Sequence, residues 1–584
     1  MNHYVYFLRT RLKDLLMRLG LLGAARWFWY LIKLLVKPEY RLQVSELRRR
    51  ERAQRQRFLE FKQQYANVLR YRLISGDYGQ RSALVVSTNF PEIEAELGLV
   101  KGLELAGFAP RVVVPGHFKL VPKYYSLASI NEVSFLSEFT PSSNHAAAEA
   151  AIETCKSMQE LLAIEYAGVR VGRIAVATAL RHQRLASLDL ESPQDRQMIV
   201  EYVASSMAAT TAAQRVLRQS RPDLTMLWDP VYTPQGELFE SCLRKGIDVI
   251  VWSPAHRSNT LIFKRYSLEI IGEHYASLSS ESWRLLCDIE WTNSHRERLQ
   301  QELSDTYASG DWYPSAGNQF SSRFVDADEI QRLIGLDPTK KTAIIFPHIF
   351  WDATLTSGSD LFRSYESWFI ETIRVAITNA QVNWVIKIHP AHVGKGMREG
   401  FRGEPAEVGV LRKHIGNLPS HIFMIPADSD ISTFSLFKLM DYCITVRGTI
   451  GIEAARLGIP VLTAGTGRYD RRGFTIDSDS CEEYIDRLTL IQKIPRLSPT
   501  RRELAERFAY GLFVLRPLPL TTVSLGYHKD YGAEIEYART QINITRPEGW
   551  YSAPDLRAFA QWVADSNNPD FLMPLPEKQD SDQH

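Results

Sequence analysis

A chain of 584 residues exceeds what one hydrophobic core organises, so two or more domains are expected. With 45% hydrophobic and 23% charged residues it is not a disordered chain, a collagen-like repeat or a coiled-coil rod. A formal net charge of only +2 gives no reason to expect nucleic acid as a partner. No two of the five cysteines (Cys155, Cys242, Cys287, Cys443 and Cys481) lie within five positions of one another. That spacing excludes CxxC and zinc-finger patterns and points to a reducing compartment, with the thiols behaving as small buried or half-buried hydrophobes.

The charge is unevenly placed. Residues 1–56 carry 13 Lys/Arg against 4 Asp/Glu, a net of +9, which leaves −7 for the remainder. Apolar runs in this segment are short: Leu19–Ala25 ends at Arg26, and Trp27–Ile32 ends at Lys33. A spanning helix needs about 20 apolar residues in succession, so none is expected here. No small-residue cleavage site follows, which disfavours a signal peptide. Basic residues interleaved with Trp27, Phe28, Trp29 and Tyr30 instead predict an amphipathic foot over residues 1–37. Such a foot would lie on the inner face of a membrane, making the protein cytoplasmic and peripheral. A charged helix is expected over 41–63.

From residue 82 the pattern becomes α/β. Ser82–Ser87 reads as a buried parallel strand, 93–106 as a helix with Gly107 beyond its end, and Arg111–Val114 as the next strand. Residues 145–220 read as mostly helical. Leu224–Trp228, Gln235–Arg244 and Asp248–Trp252 continue as strand, helix and strand. A second series runs through strands at Thr342–Phe346, Trp384–Ile388, Ile422–Ile425, Tyr442–Thr445 and Pro460–Thr463. Helices are expected between them near 364–379, 432–439 and 450–457, and afterwards at 481–492, 499–511 and 551–563. The fold class is thus α/β, two doubly wound Rossmann-like domains facing across a cleft, with an N-terminal amphipathic helical extension. The expected organisation is 1–78 as the basic extension, 79–325 as an N-terminal Rossmann-like domain with a helical insertion, and 326–550 as a C-terminal Rossmann-like domain. Residues 551–584 follow as a helix and polar tail.

Ligands of doubly wound sheets bind beyond the carboxyl ends of the strands, so residues there are the candidates. His389 follows a strand and precedes Pro390, where an imidazole can donate to a phosphate or protonate a leaving group. Arg447, Gly448, Thr449 and Gly451 form a turn at a helix start, suited to an anion, and Glu453 lies one turn further on, suited to ribose hydroxyls. Arg468, Tyr469 and Arg471 lie in a Gly-rich loop after the last strand, also suited to an anionic ligand. For an acceptor-activating base the candidates are Glu92 and Asp229, with Asn89, Glu94, Tyr232, Gln235, His256 and Arg257 nearby in strand-end loops. Since no DxD-like cluster falls where a metal-bound diphosphate would need it, no metal and no separate cofactor are expected.

The stretch from His389-Pro390 to Thr475 resembles the capsule polysaccharide biosynthesis family, which includes Kdo-transferase-like enzymes of the GT-B type. The resemblance rests on His389, Pro390, Thr449, Gly451, Glu453, Ala454, Gly458, Pro460, Val461, Gly465, Tyr469, Gly473 and Thr475. Phe350-Trp351-Asp352 is similar to a donor-side loop of related sugar transferases. One departure is Arg447-Gly448, where the family pattern has a serine. The resemblance implies a metal-independent glycosyltransferase that takes a sugar from a nucleotide donor to a saccharide or lipid-linked acceptor. It tilts the expectation to a CMP-sugar such as CMP-Kdo, with UDP- and GDP-sugars open. The expected partners are that donor, that acceptor, the membrane surface through residues 1–37, and polysaccharide assembly machinery. The alternatives are a sugar-nucleotide epimerase-like enzyme, or a non-catalytic assembly or export subunit.

Overall fold

The computed structural model describes residues 38–74, 81–87, 92–116, 118–313, 323–352, 354–355, 357–393, 403–526 and 539–575. The expected basic foot, residues 1–37, lies outside them, as does Asn89. The chain divides between Asn67 and Val68 into two compact units. A long helix, Pro38–Leu69, opens with a proline, whose missing N–H costs nothing in a first turn. Among the described residues no helix is long and apolar enough to cross a membrane.

The second unit contains two sheets. The first begins with β1 (Arg81–Val86), β2 (Phe108–Val114), β3 (Val133–Phe135), β4 (Leu224–Leu227), β5 (Asp248–Pro254) and β6 (Thr260–Tyr266). Strands β1 to β5 are parallel in the order β3-β2-β1-β4-β5, with Val85 opposite both Val112 and Met226. β1 and β4 are apolar runs buried along most of their length because helices cover both faces. β6 adds an antiparallel edge that the sequence reading does not anticipate. Its alternating Lys264-Arg265-Tyr266 end reads as a charged loop. In the structure Lys264 is buried against Asp570, Nζ to Oδ1 at 3.0 Å.

The second sheet repeats the order. It contains β7 (Thr342–Ile345), β8 (Asn383–Lys387), β9 (Ile422–Ile425), β10 (Tyr442–Thr445) and β11 (Val461–Thr463), all parallel, as β11-β10-β7-β8-β9. The two sheets make the paired Rossmann-like arrangement of GT-B proteins. Each has a point where the winding reverses, between β1 and β4 in the first and between β7 and β10 in the second. The helix expected near 432–439 is a 3₁₀ segment, Thr433–Lys438, because Ser432 caps it by accepting from the Phe434 N–H.

After the helix Pro499–Tyr510 the chain makes a π-turn, Gly511–Leu515, and returns to the first sheet. There β12 (Leu518–Pro519) pairs antiparallel with β6. A hairpin of β13 (Val523–Gly526) and β14 (Arg539–Ile542) follows. The helix Pro554–Asp565 then packs on Ile93–Leu105, and its Phe559 ring lies tilted against Phe263 with centroids 4.7 Å apart. The fit is close: a Cβ added at Gly102 would lie 2.6 Å from Phe559 Cδ1. All five cysteines are free thiols, and Cys287 is exposed rather than buried. Gly102→Ala should therefore destabilise the protein by about 1–3 kcal/mol. With Phe559→Leu the combined loss should be less than additive, measured by denaturant unfolding. Additive losses would mean that the two positions do not bear on each other.

Candidate active site at the strand ends of the second sheet

The reversal between β7 and β10 leaves their carboxyl ends splayed, and four loops converge there. His348 follows β7, His389 follows β8, Arg447 follows β10, and the loop 464–475 follows β11. His348 Nε2 accepts the Arg447 N–H at 3.2 Å, and its ring stacks on Tyr365 with centroids 4.8 Å apart. In the neutral ring this leaves the proton on Nδ1. Burial drives the His348 pKa well below its ordinary value, with Arg447, His389 and Arg468 adding to the effect. His389 has the opposite tautomer. Its Nδ1 accepts the Ala391 N–H at 3.1 Å, so Nε2 carries the hydrogen and can donate. Burial lowers its pKa to about 4, helped by His392 and Lys387, so it is a neutral donor at pH 7.

A third histidine enters from the first sheet. His274 lies in the loop after β6, and its Nδ1 accepts the Ala276 N–H at 3.0 Å. Its pKa is also driven well down by burial, then by Arg468 and Arg447. His274 and His389 thus both hold their hydrogen on Nε2. Arg468 lies within electrostatic range of His274 and His348. Its Nη1 donates to the Arg447 carbonyl at 3.3 Å, and its buried Nε has no hydrogen-bond partner. Asp470 does not neutralise this set directly: Oδ1 accepts the N–H groups of Gly467 and Arg468, at 2.6 and 3.2 Å.

The other candidates take varied positions. Arg447 is buried, and its guanidinium is committed to the Ser357 carbonyl and to Asp360. Gly448, Thr449 and Gly451 form the turn, with Thr449 as the residue before the helix Ile450–Ala455. Tyr469 is buried beneath that turn and donates to the Gly448 carbonyl at 2.7 Å. A Cβ at Gly451 would lie 2.2 Å from the Tyr469 hydroxyl, so only glycine leaves room for the ring. Glu453 is buried, accepts from Tyr307 Oη at 3.1 Å, and has its pKa pushed up to about 7 by burial. Arg471 is exposed, pairs with Asp479, and donates its N–H to Asp477 Oδ2 at 2.8 Å. Its backbone has φ +57°.

On the first sheet, Asp229 is exposed after β4 with φ +54°. Its charge and that of Arg468 both act on the half-buried Tyr275, in opposite directions. Glu92 opens the helix Ile93–Leu105 and is half-buried. Glu94 is buried and accepts from Tyr124 Oη at 3.0 Å. Gln235 begins its helix. Tyr232 reaches across to Asp352 at 3.4 Å. His256 lies buried against Trp312 and Phe513, with Nε2 2.8 Å from Glu302, and Arg257 pairs with the same carboxylate at 2.6 Å.

Main-chain bonds join the two sets of loops. The Gly358 N–H donates to the Gly272 carbonyl at 2.7 Å, and the His274 N–H to the Gly467 carbonyl at 2.8 Å. Arg173 bonds the carbonyls of Leu355 and Gly358 at 2.6 and 3.1 Å. Arg181 lies 3.3 Å from Asp352 and over the Trp351 ring at 4.9 Å. The Phe350–Asp352 loop therefore meets the helix Val171–Gln183. Sequence reasoning missed His348, His274 and Arg173. His348 carried a usable signal, since Pro347-His348 follows β7 as His389-Pro390 follows β8. For His274 and Arg173 no local pattern existed.

Two parallel sheets of reversed winding, with imidazoles and arginines at the strand ends of the second, define a Rossmann-like α/β fold with a site suited to an anion. Residues 300–488 match the model of the family described as capsule polysaccharide biosynthesis protein. No curated protein sequence matches it. Among solved structures it is similar to a Thermosulfurimonas dismutans KpsC, a beta Kdo 2,7 transferase, at 16% identity over 59% of this chain and 89% of that one, with a TM-score of 0.32. The beta Kdo 2,4 transferase of the same source aligns at 14% identity over 51% and 81%, also with a TM-score of 0.32. A UDP-GlcNAc 2-epimerase from Neisseria meningitidis aligns at 13% over 74% and 96%, with a TM-score of 0.27. At TM-scores this low the likenesses carry no weight on chemistry.

Two outcomes follow from this geometry. Gly451→Ala should cost about 1–3 kcal/mol of stability by forcing Tyr469 from beneath the turn, read as a lowered Tm. Glu453 has a folded pKa of about 7 against 4.5 unfolded, so the folded chain holds the extra proton between these values. Stability from this group is therefore full below about pH 4.5 and is lost as pH rises through 7. Glu453→Gln should flatten the fall in Tm between pH 5 and 8. An unchanged pH profile would show that the carboxyl titrates normally.

Proposed function

We propose that the chain is a glycosyltransferase of capsular or related surface polysaccharide synthesis. It transfers a sugar from a nucleotide donor to a saccharide or lipid-linked acceptor. The observation that carries this reading is that Arg468, with an unpartnered Nε, acts on both His274 and His348, and that His389, an Nε2–H donor, acts on His348, at the strand ends where the second sheet reverses. Such a site suits phosphate oxygens: the donors are fixed before the ligand arrives, and the field of Arg447 and Arg468 favours negative charge.

In this reading the donor's phosphate lies against His389, His274 and Arg468. As the sugar–phosphate bond breaks, charge grows on the leaving oxygen and the His389 N–H stabilises it. With a pKa near 4, His389 acts as a hydrogen-bond donor and not as an imidazolium acid. Arg447 holds the 357–360 loop, and Tyr469 shapes the turn that carries Gly448 and Thr449. The phosphate charge is met by side chains without a metal. Asp229, with Glu92 further off, is the proposed source of the base for the acceptor hydroxyl. A CMP-sugar such as CMP-Kdo is the favoured donor, and the basic residues 1–37 are proposed to hold the enzyme to the inner membrane face near the assembly machinery.

The test is turnover with CMP-, UDP- and GDP-sugars. His389→Ala should lower kcat about 10²-fold with donor affinity little changed, within the range for such donors. His389→Asn should recover part of the rate. Because the imidazole is neutral well above pH 4, no ionisation of His389 should shape the rate between pH 6 and 8. A lowered Tm with normal kcat per folded molecule would make His389 a scaffold residue. Absence of binding by every nucleotide would favour a non-catalytic assembly subunit.

A further inference from the structure

A second cavity, of about 430 Å³, lies within the first sheet's half, outside the residues assigned above. It opens beyond the carboxyl ends of β2, β3 and β4, at Pro115, Leu136 and Thr233. Two helices wall it. Pro193–Ser220 contributes Tyr202, Ser205 and Ala209, at spacings of three and four that share one face. Val171–Gln183 contributes Thr178 and His182, also on one face, while Arg173 and Arg181 on its other side hold the 351–358 loop of the second sheet. The cavity therefore backs onto the helix that abuts the donor side. Its volume is that of a small-ligand site.

Two hydroxyls of its wall, those of Thr178 and Thr233, have their hydrogens already committed. Thr178 Oγ1 donates to the Ile174 carbonyl at 2.7 Å and accepts the Thr233 N–H at 3.0 Å. Thr233 Oγ1 donates to Glu237 Oε1 at 2.7 Å, and that oxygen also accepts from Ser206 at 2.6 Å. Glu237 is fully buried, and its Oε2 has no partner. Burial pushes the carboxyl up to about 7, and a proton on it would sit on Oε2, so Oε1 accepts in either state. Thr233 thus offers a ligand only oxygen lone pairs, which need a hydroxyl donor and repel an acceptor-only phosphate or carboxylate. Among the described residues lining the cavity none is Lys or Arg, and Glu201, 2.8 Å from His145, places a carboxylate at the rim. Leu136, Ala208 and Ala209 also line the cavity and give it apolar surface that suits the C–H face of a sugar ring.

We propose that this cavity binds a neutral saccharide through its hydroxyls, with Thr233 as the specificity-determining acceptor, and that it discriminates against acidic sugars. Its role as the acceptor site rests on the reading of the chain as a glycosyltransferase; saccharide binding itself does not. Glu237 is a positioning residue that fixes the Thr233 rotor.

The test uses the full chain and two matched probe sets, the methyl glycosides of glucose, galactose and mannose and the corresponding methyl uronosides. Binding is followed by saturation-transfer NMR and calorimetry, with CMP titrated in parallel. At least one neutral glycoside should bind, at least tenfold more tightly than its uronoside. Thr233→Val should weaken it about tenfold, the loss of one hydrogen bond, and Ala208→Phe should abolish it, both with CMP affinity unchanged. If Ala208→Phe does not fold, Thr233→Val decides. Equal binding of neutral and acidic forms, no binding of any neutral glycoside, or unchanged affinity in Thr233→Val would overturn the proposal. Failure of CMP to bind alongside a normal sugar response would sink the nucleotide reading alone.

Discussion

Three glycines set where everything else can be. Gly272 follows β6 in the first sheet's half, and Gly358 and Gly467 lie in loops of the second. Their backbones come so close that a Cβ at Gly467 would lie 2.6 Å from the Gly358 nitrogen and 2.9 Å from the Gly272 carbonyl. Both Gly358 and Gly467 have positive φ, at +56° and +92°. A side chain at Gly358 or Gly467 would wedge these loops apart and break the bonds from Gly358 to Gly272 and from His274 to Gly467. With them would go the placement of His274 beside Arg468, leaving the bond from Arg472 Nη2 to the Leu278 carbonyl at 3.0 Å as a remaining tie between the two loops.

Behind this junction a buried ion cluster keeps the 272–279 loop from drifting. Arg516 is fully buried and donates to the carbonyls of Tyr275, Ser277 and Phe263 at 2.6–2.7 Å. Asp570 accepts from Lys264 at 3.0 Å and from the Ser279 N–H at 2.6 Å. Burial alone would raise its pKa, but Arg516 and Lys264 hold it down to about 2. Removing one member would strand the others, a cost of several kcal/mol for buried charges. The chain's return after the π-turn is thus what supplies the rigidity of the site's first-sheet side. In the site the histidines are kept neutral by burial, with Arg447 and Arg468 adding to the effect at His274 and His348, so they are ready to donate without first losing or gaining a proton.

Much of this was legible in the sequence because parallel strands buried on both faces read as unbroken apolar runs. β1, β4, β7 and β10 announce themselves in that way, and their ends pointed to His389 and the 447–453 turn. β6 was not legible, because Lys264 reads as solvated until Asp570, 306 positions away, is known to neutralise it. Residue roles were harder still. Arg447 and Tyr469 look like ligand groups in a Gly-rich context, yet the guanidinium is committed to Asp360 and the phenol to the Gly448 carbonyl. Glu453 looks ready for ribose, but its carboxyl is buried with Tyr307, a partner from a helix with no sequence mark of its own. Hydrogen-bond commitments between distant segments are long-range facts, and local spacing does not encode them.

The central claim is that neutral, pre-oriented imidazoles beside Arg468 receive a nucleotide phosphate. The most direct measurement is nitrogen NMR of the histidine rings in the full chain, with and without CMP, across pH 5–8. The account predicts Nε2–H tautomers at His274 and His389 and the Nδ1–H tautomer at His348, none of them titrating in that range. It further predicts that CMP moves the His274 and His389 signals and raises their pKa values, since a bound anion offsets the arginine field. Free-state titration of these rings near their ordinary pKa, or signals unmoved by a nucleotide that binds elsewhere on the chain, would contradict it.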